Sequence, residues 1–409
     1  VESRRQKTSE KDRKTVQAIL NDVRKNGDSA VKKYERKFNG RNTTQLRVSA
    51  KEIKEAQSKI SRKEISALGT MVANIRIEDE FPTQDTDSAW LVQRKFVPIP
   101  SVGCYIPGGQ ARYPSSVAMS VVPAETAGVK RIVVVSPPGP DGKIDPLTIA
   151  AAKMCGATEI YKVGGAQAIG ALAYGTKSIP KVDKIVGPGG KFVSIAKSLV
   201  SEQTAIDMIA GPTELGIIAD ASSDPELVAL DLISQAEHSK DTMCFVITQS
   251  KTMAKQIQKS IEKLIPGTKR SSIIKESISK NGFVAVCKSQ NEMIELANKI
   301  APEHLELMVK NAKSLSKKII GAGLLLIGKN TPSALSDYLL GTNHILPTNG
   351  FGRTRGGLSV LDFLKLQTTI EISSLSTKLA RKNFAEALET LTDAEGLPNH
   401  YKAVKRRLD

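Results

Sequence analysis

The chain has 409 residues, of which 40% are hydrophobic and 25% are charged. This length is enough for two or three domains with ordinary cores, and this composition is typical of a soluble globular protein, which excludes a disordered chain or a fibre. The formal net charge is +17, but there is one Trp, few aromatic residues and no recognisable nucleic-acid-binding module. We therefore interpret the charge as solvated helix faces that attract anions, a phosphorylated dinucleotide among them, and expect no nucleic-acid partner.

Neither a membrane span nor a signal peptide is predicted. No run of about 18 apolar residues occurs and the N-terminus lacks an apolar core, so we expect a cytoplasmic protein without a membrane partner. Because the chain begins on Val1, we expect its native start to lie further upstream. The four cysteines, at positions 104, 155, 244 and 287, form no CxxC or finger spacing and are predicted to be reduced thiols.

The first part of the chain is predicted to be helical. Apolar residues recur at helical spacing within residues 16–23 and 53–60, and Asn39-Gly40 interrupts the pattern. Residues 90–99 are predicted to be extended and to lead into a Gly/Pro turn at 102–109, where the backbone can approach a ligand closely.

Residues 115–220 repeat the order strand, glycine turn, helix. The predicted strands are 131–135, 160–163 and 183–186, and the predicted helices are 166–174 and 191–199. This repeat indicates βαβ units in a parallel sheet. The turns Gly164-Gly165 and Gly187-Pro188-Gly189-Gly190 either offer amides to a pyrophosphate or are ordinary packing turns, since neither spells GxGxxG.

A second alternating stretch runs from about residue 215 to residue 340. Its predicted strands are 215–219, 244–248, 283–287, 305–309 and 324–327, with helices between them that include 225–236. The predicted fold class is therefore α/β, with two Rossmann-like α/β domains, a helical N-terminal segment and a helical C-terminal tail.

The best candidate for chemistry is Ala-Pro-Glu-His-Leu-Glu-Leu at 301–307. Pro302 disfavours helix at Ala301, and the residues after His304 alternate between apolar and polar, so Glu303 and His304 are predicted to lie where a loop enters a strand. A carboxylate beside an imidazole can activate water and carry protons near neutral pH. A surface turn with a capping glutamate would show the same local pattern.

A second candidate is a metal site. Gln235 and His238 are three apart and share a helix face, and Asp337 is predicted on a short helix that Pro332 begins. An amide oxygen, a carboxylate and imidazoles suit a zinc-class ion. Helix capping with a satisfied buried histidine is the alternative explanation.

From about residue 16 to residue 407 the sequence resembles the histidinol dehydrogenase family, which catalyses the last step of histidine biosynthesis. Seven ordered blocks carry the resemblance: Tyr-Ile-Pro-Gly-Gly at 105–109, Val-Gly-Gly-Ala-Gln-Ala-Ile at 163–169, Ile-Ala-Gly-Pro-Thr-Glu at 209–214, Ser-Gln-Ala-Glu-His at 234–238, Ala-Pro-Glu-His-Leu at 301–305, Asp-Tyr at 337–338 with Gly-Thr-Asn-His at 341–344, and Ala-Glu-Gly-Leu at 394–397 with His400.

The resemblance implies an NAD-dependent four-electron oxidation of L-histidinol through L-histidinal to L-histidine, with Glu303 and His304 as the acid–base pair. It implies one zinc ion per subunit, held by Gln235, His238, Asp337 and His400. The implied substrate-binding residues are Thr213, Gln235, His238, His304, Asp337, His344, Glu395 and His400, and the implied cofactor-binding residues are Tyr105, Gln167 and Gly190.

The same resemblance implies domains and a partner. Residues 1–103 and 215–355 would form the α/β domain that carries the metal and acid–base residues, 104–214 the Rossmann-like cofactor-side domain, and 356–409 a helical tail. The implied homodimer has crossed tails, so that Glu395 and His400 complete the partner subunit's site. The apolar stripes of the tail (Phe363, Leu364 and Leu366; Phe384, Leu388 and Leu391) equally permit a tail folded on its own chain.

Two positions depart from the family pattern. Thr213 stands where serine is usual, and Gly190 stands where asparagine is usual, which removes a possible hydrogen bond to the cofactor. Paralogues that oxidise other small polar alcohols share the zinc and acid–base blocks, but the spacing of Glu395 and His400 favours histidinol. A zinc hydrolase with the same ligands is the less favoured alternative.

Overall fold

Two parallel five-stranded sheets organise most of the chain. The computed structural model describes residues 9–40, 45–78, 92–108, 112–370 and 378–408. The chain forms two compact units, a larger one of residues 1–81 and 98–364 and a smaller one of residues 82–97 and 365–409. Both five-stranded sheets belong to the larger unit.

The strands are short and most are buried. They are β1 (Val92–Pro98), β2 (Ser101–Tyr105), β3 (Arg131–Ser136), β4 (Glu159–Lys162), β5 (Lys184–Val186), β6 (Ala205–Ile206), β7 (Glu214–Ala219), β8 (Met243–Thr248), β9 (Phe283–Val286), β10 (His304–Met308), β11 (Leu324–Ile327) and β12 (Leu364–Ile370).

The helices are α1 (Glu10–Asn26), α2 (Asp28–Asn39), α3 (Ala50–Ser58), α4 (Arg62–Glu78), α5 (Pro114–Thr126), α6 (Pro146–Met154), α7 (Gly165–Tyr174), α8 (Lys191–Val200), α9 (Pro225–Ala236), α10 (Lys251–Leu264), α11 (Ser271–Asn281), α12 (Gln290–Ile300), α13 (Ala312–Ser316), α14 (Ser333–Ser336), α15 (Lys378–Ala394) and α16 (Pro398–Leu408). No helix in the described ranges is both long and apolar enough to span a lipid bilayer.

The first sheet has the strand order β4-β3-β2-β5-β6, and all its pairs are parallel. Helices cover both faces: Ile132 and Val134 of β3 pack in one core cluster, whereas Val133 and Val135 pack in the other. A strand buried on both faces needs apolar side chains at successive positions, which explains the continuous run Ile-Val-Val-Val. The N-terminal helices α1 and α2 pack against α7 of this sheet.

The second sheet has the order β11-β10-β7-β8-β9 and is also parallel. Leu215 and Ile217 of β7 face one core cluster and Ile218 faces the other. Pro225 opens α9 at its first turn, and the Asp224 side chain accepts hydrogen bonds from the first free amides of that helix. The α/β fold class predicted from the sequence is confirmed, and the proposed grouping of residues 1–103 with 215–355 remains a prediction.

The smaller unit contains the helices α15 and α16 and most of the two-stranded sheet formed by β1 and β12. The helix predicted across Phe363, Leu364 and Leu366 is wrong, because a 3-10 turn ends at Phe363 and β12 begins at Leu364. Every second residue from Leu364 to Leu366 is apolar, which suits a strand once β1 is there to pair with it. Trp90 and Gly109 lie outside the described residues.

Candidate functional site

Most of the predicted metal and acid–base residues meet at the amino-terminal edge of the second sheet. Strands β7 and β10 are parallel neighbours, with His304 opposite Leu215. Residues that immediately precede the two strands, Thr213 and Glu303, therefore lie side by side. Gln235 stands in the last turn of α9 and Asp337 directly follows α14, and both reach this edge.

The backbone before β10 is fixed by local conformation. Ala301 caps α12 in the left-handed region, with φ 48°, and Pro302 follows it. The carbonyl oxygens of Pro302 and Glu303 accept hydrogen bonds from Gly323 and Leu324, at 2.9 and 2.8 Å, which join the loop to the start of β11. The prediction that Glu303 and His304 lie where a loop enters a strand is confirmed.

A chain of hydrogen bonds links Gln235 to His304. The Gln235 amide nitrogen donates to Thr213 Oγ1 at 2.7 Å, and the Thr213 hydroxyl donates to Glu303 Oε2. The Glu214 amide donates to the same carboxylate oxygen at 2.9 Å. His304 Nδ1 lies 3.7 Å from that oxygen and 3.4 Å from the Glu214 carbonyl oxygen, so the neutral ring would carry its N–H at Nδ1 and leave Nε2 to accept a proton.

Three imidazoles surround Asp337. His304 Nε2 lies 3.5 Å from Asp337 Oδ1, and His344 Nδ1 donates to the Asp337 carbonyl oxygen at 3.0 Å. His238 Nδ1 donates to the Gln235 carbonyl oxygen at 3.0 Å. Because the N–H of His238 is at Nδ1, Nε2 carries the lone pair that a metal ion needs.

Burial and charge shift the pKa values of these groups. Burial lowers the pKa of His304, but the carboxylates of Glu303 and Asp337 outweigh it and raise the value to about 9. Burial raises the pKa of Glu303 above its ordinary range, against the opposing charge of His304. Burial also acts to raise the pKa of Asp337, but His304, His344 and His238 together hold it below its usual range. The ionised Asp337 carboxylate would therefore attract a cation.

The donor set fits a zinc-class ion, although within the described ranges no group of three or more His, Cys, Asp or Glu side chains already forms a metal site. His238 Nε2 is a free nitrogen donor, and Asp337 supplies a carboxylate. The amide nitrogen of Gln235 donates a hydrogen bond to Thr213, so the amide oxygen is the atom of this side chain that could bind a metal ion. These three donors leave coordination positions for further ligands. All four cysteines are buried and unpaired.

Two predicted site residues lie in the smaller unit. Glu395 directly follows α15, and its amide donates to the Leu391 carbonyl oxygen at 3.0 Å. His400 is in the first turn of α16, and both side chains are exposed within their own unit.

The predicted cofactor residues lie at the carboxyl edge of the first sheet, where parallel α/β sheets bind ligands. Tyr105 ends β2, and its hydroxyl accepts the Gly165 amide at 3.1 Å. Gln167 is 1% exposed and donates through Nε2 to Glu35 at 2.8 Å. Its Oε1 is buried and accepts no hydrogen bond from the described residues, which leaves an acceptor for a ligand donor.

The turn after β5 lies against the same edge. Gly187 has φ 107°, and a Cβ at this position would lie 2.2 Å from the Tyr105 carbonyl oxygen, so only glycine fits. Its amide donates to Asp207 at 2.8 Å, and its carbonyl oxygen accepts from Lys197, at 2.8 Å. Gly190 caps α8 with φ −64°, and a Cβ added to it would have no other atom within 4 Å.

Several supporting residues were not predicted from the sequence. Glu35 of α2 accepts the Gly164 amide as well as the Gln167 amide, and Glu214 holds both members of the acid–base pair through its backbone. Burial raises the pKa of Glu35. Glu35 lies on the same helix face as the apolar Val31 and would have stood out as an acidic residue in a buried stripe.

Comparison with known proteins gives a consistent result over the whole chain. The sequence model of the histidinol dehydrogenase family matches residues 2–408. The chain is 44% identical to a histidinol dehydrogenase of Methanococcus maripaludis, over 97% of this chain and 93% of that protein. It is 41% identical to the one of Bacillus licheniformis, over 98% and 94%. Its structure is similar to the crystal structure of histidinol dehydrogenase from Elizabethkingia anophelis, with a TM-score of 0.92, 35% identity and coverage of 98% and 93%.

Proposed function

The chain belongs to the histidinol dehydrogenase family, oxidoreductases of histidine biosynthesis, and from this premise we propose that it oxidises L-histidinol through L-histidinal to L-histidine with NAD and one zinc ion. The observation that carries the proposal is the hydrogen-bonded series Gln235, Thr213 and Glu303, with His304 Nδ1 3.7 Å from the Glu303 carboxylate and Nε2 3.5 Å from that of Asp337. This arrangement supports the proposal because an imidazole and a carboxylate lie beside side chains of the kinds that bind metal ions, at one sheet edge.

Gln235, His238 and Asp337 are the proposed zinc ligands of one subunit, with His400 as the fourth. Bound zinc would hold the histidinol imidazole and amine and, as a nearby cation, would lower the pKa of His304. Thr213 keeps the Gln235 amide in its orientation, so the extra methyl relative to serine leaves this hydroxyl function intact. His344 is anchored by the Asp337 carbonyl oxygen and, with Glu395, is proposed to contact substrate.

His304 Nε2 is the proposed proton acceptor in both oxidations. Its Nδ1–H points at the Glu214 carbonyl oxygen, which fixes the tautomer that leaves Nε2 basic. When Nε2 takes the alcohol proton, the imidazolium lies 3.7 Å from Glu303 and 3.5 Å from Asp337, and both carboxylates stabilise it.

Glu303 is the proposed base for the water that attacks the aldehyde. Its Oε2 accepts hydrogen bonds from Thr213 and Glu214, whereas its Oε1 accepts none from the described residues and is free to take the water proton. Burial raises the pKa of this carboxyl, which makes the carboxylate a stronger base than an exposed one. As the water adds, the His304 imidazolium returns its proton to the aldehyde oxygen, so that the hydrate forms and His304 is neutral again. The hydrate is then oxidised, with His304 accepting its hydroxyl proton.

Tyr105, Gln167 and Gly190 are the proposed cofactor contacts. Bound NAD would accept a hydride in each of the two oxidations. The buried, unbonded Oε1 of Gln167 and the tyrosine hydroxyl at the Gly164-Gly165 turn support this assignment.

Gly190→Asn should strengthen NAD binding. Gly190 has an ordinary φ and open space, so an asparagine fits without strain and restores a side-chain amide at a helix N-cap, where asparagine is favoured. One added hydrogen bond should lower the KM for NAD about three- to tenfold. Gly190→Ala is the matched control, since it adds the same Cβ without the amide. An equal gain in both variants would show that the amide is not the cause.

A homodimer with crossed tails is the proposed assembly, in which Glu395 and His400 serve the partner subunit's site. Mixing His304→Asn chains with His400→Ala chains tests this, provided that subunits exchange. In a crossed heterodimer one site carries both changes and the other carries neither, so activity should return toward half per mixed dimer. Without crossing, every site keeps one change. Absence of recovery in heterodimers isolated with two affinity tags would rule out the crossed tail.

The direct test of the proposed function is NADH formation by the zinc-loaded protein. Two NADH should form for each histidinol consumed, because the alcohol and the hydrated aldehyde each lose two electrons. Other amino alcohols and sulfonated diols, supplied in parallel, separate histidinol dehydrogenase from paralogous dehydrogenases of small polar alcohols. Turnover of one of these in preference to histidinol would overturn the substrate assignment.

A further inference from the structure

Two carboxyl groups with no role in the proposed chemistry lie next to each other behind the metal site. Asp231 stands on α9 one helical turn before Gln235, and Glu306 stands on β10 two residues after His304, on the same strand face. Glu306 is 1% exposed and Asp231 is half-buried. Their side chains are within hydrogen-bonding reach of each other.

The pair also contacts a third element of the site. Glu306 Oε1 accepts a hydrogen bond from the amide of Ser333, the first residue of α14, at 2.7 Å. Asp337 directly follows the end of that four-residue helix. Asp231 and Glu306 thus connect α9, β10 and α14, and each of these elements carries or directly precedes one site residue.

A buried carboxylate beside a half-buried one is destabilised by the like charge unless a proton lies between the two groups. Glu306 Oε2 is buried and receives no hydrogen bond from the described residues unless a proton lies between it and Asp231. Burial and the Asp231 charge raise the pKa of Glu306 to about 8, and burial raises that of Asp231 to about 6. Among the described residues, the buried Cys244 thiol of β8 also lies near Glu306, and burial raises its own pKa. No cation is among the groups that shift either carboxyl.

We propose that Asp231 and Glu306 share one proton and act as a positioning pair, which holds Gln235, His304 and Asp337 at their working separations. The identification of Gln235 and Asp337 as zinc ligands rests on the proposed function. The shared proton itself rests only on the contacts of the two carboxyl groups.

The shared proton is tested by thermal unfolding of zinc-free protein from pH 5 to pH 8.5. Both folded-state pKa values lie above those of unfolded carboxyl groups, so the stabilisation is complete below the unfolded values and is lost as the pH rises through about 6 and then about 8. Glu306→Gln keeps the shape and supplies a permanent N–H toward Asp231. The difference in Tm between Glu306→Gln and the unchanged protein should therefore shift in favour of the variant by roughly 2–4 °C as the pH rises from 5 to 8.5. Parallel Tm curves would overturn the shared proton.

The positioning role is tested by zinc affinity, measured by chelator competition at a temperature where every variant is folded. Glu306→Leu, which has similar bulk but no hydrogen bonds, should weaken zinc binding at least about tenfold, whereas Glu306→Gln should weaken it less than about threefold. The control is Ile257→Ala, a core change on α10, which carries no site residue. Equal zinc affinity in Glu306→Leu and Ile257→Ala would show that Asp231 and Glu306 contribute only to core packing and do not position the zinc ligands.

The two measurements separate this inference from the proposed function. If the unchanged protein holds no zinc, the metal assignment fails, while the unfolding curves of zinc-free Glu306→Gln still decide whether the proton is shared. If Glu306→Leu does not fold, the unfolding curves of Glu306→Gln still test the shared proton, and the zinc affinity of Asp231→Leu tests the positioning role.

Discussion

His304→Asn should reduce kcat for histidinol oxidation by about a hundredfold or more, because the variant lacks the nitrogen that accepts the alcohol proton. Asparagine can still donate toward the Glu214 carbonyl oxygen, where His304 Nδ1 now lies at 3.4 Å, so the loop before β10 should keep its conformation. The KM for histidinol should change much less than kcat, since the zinc ligands are untouched.

Glu303→Gln separates the two oxidations. The amide oxygen can still accept from Thr213 and Glu214, so the change removes charge and basicity rather than structure. Oxidation of supplied histidinal should fall more than the first oxidation of histidinol, since only the aldehyde step needs an activated water. Stopped-flow measurement of NADH with each substrate compares the two steps. Near-normal turnover of both substrates by both variants would remove this pair from the mechanism.

His238→Ala should deplete zinc and activity together. The purified protein is expected to hold about one zinc per chain, and His238 supplies an imidazole whose Nε2 has no hydrogen-bond partner among the described residues. Gln235→Ala and Asp337→Ala should have the same effect. Elemental analysis of the variants, purified in buffer with a fixed trace of zinc, gives the metal content directly.

His344→Ala is the matched control for His238→Ala. Both imidazoles donate through Nδ1 to a backbone carbonyl oxygen at 3.0 Å, but His344 Nε2 is in addition 3.3 Å from the Ser116 hydroxyl. His344→Ala should therefore keep its zinc and lose affinity for histidinol. Full zinc content in His238→Ala would exclude His238 as a ligand.

The predicted strands could be placed closely because each contains an apolar run bounded by turn residues. The predicted Gly/Pro turn at 102–109 is wrong over residues 102–105, which belong to the buried central strand β2. The predicted strand 324–327 coincides with β11, and the predicted 305–309 is displaced from β10 by one residue. The region around Leu364 could not be predicted in this way. Its apolar residues fit a helix or a strand, and its partner β1 lies more than 260 residues earlier in the chain. Such pairing leaves no local signal.

The adjacent Glu303 and His304 could be identified from the sequence because their chemistry is visible in two neighbouring letters. Asp231, Glu306 and Glu35 could not, because each is important only through contacts between distant segments. A spacing signal exists for the first two: Asp231 lies four residues before Gln235 and Glu306 two residues after His304. These spacings suggest a shared face, but they do not reveal that the two faces meet.

The placement of the glycine turns and the acid–base pair on different sheets bears on how a reactive intermediate survives. Tyr105, Gln167 and Gly190 lie at the edge of the first sheet, whereas Glu303 and His304 lie at the edge of the second, and none of the three proposed cofactor residues is also a proposed substrate residue. In the proposed mechanism the spent dinucleotide would therefore depart and a fresh one arrive without loosening any contact to the aldehyde. A free amino aldehyde would condense with cellular amines or with a second molecule of the same aldehyde. Separate binding of the two proposed ligands at the two sheets would thus keep the labile aldehyde bound while the oxidant is exchanged.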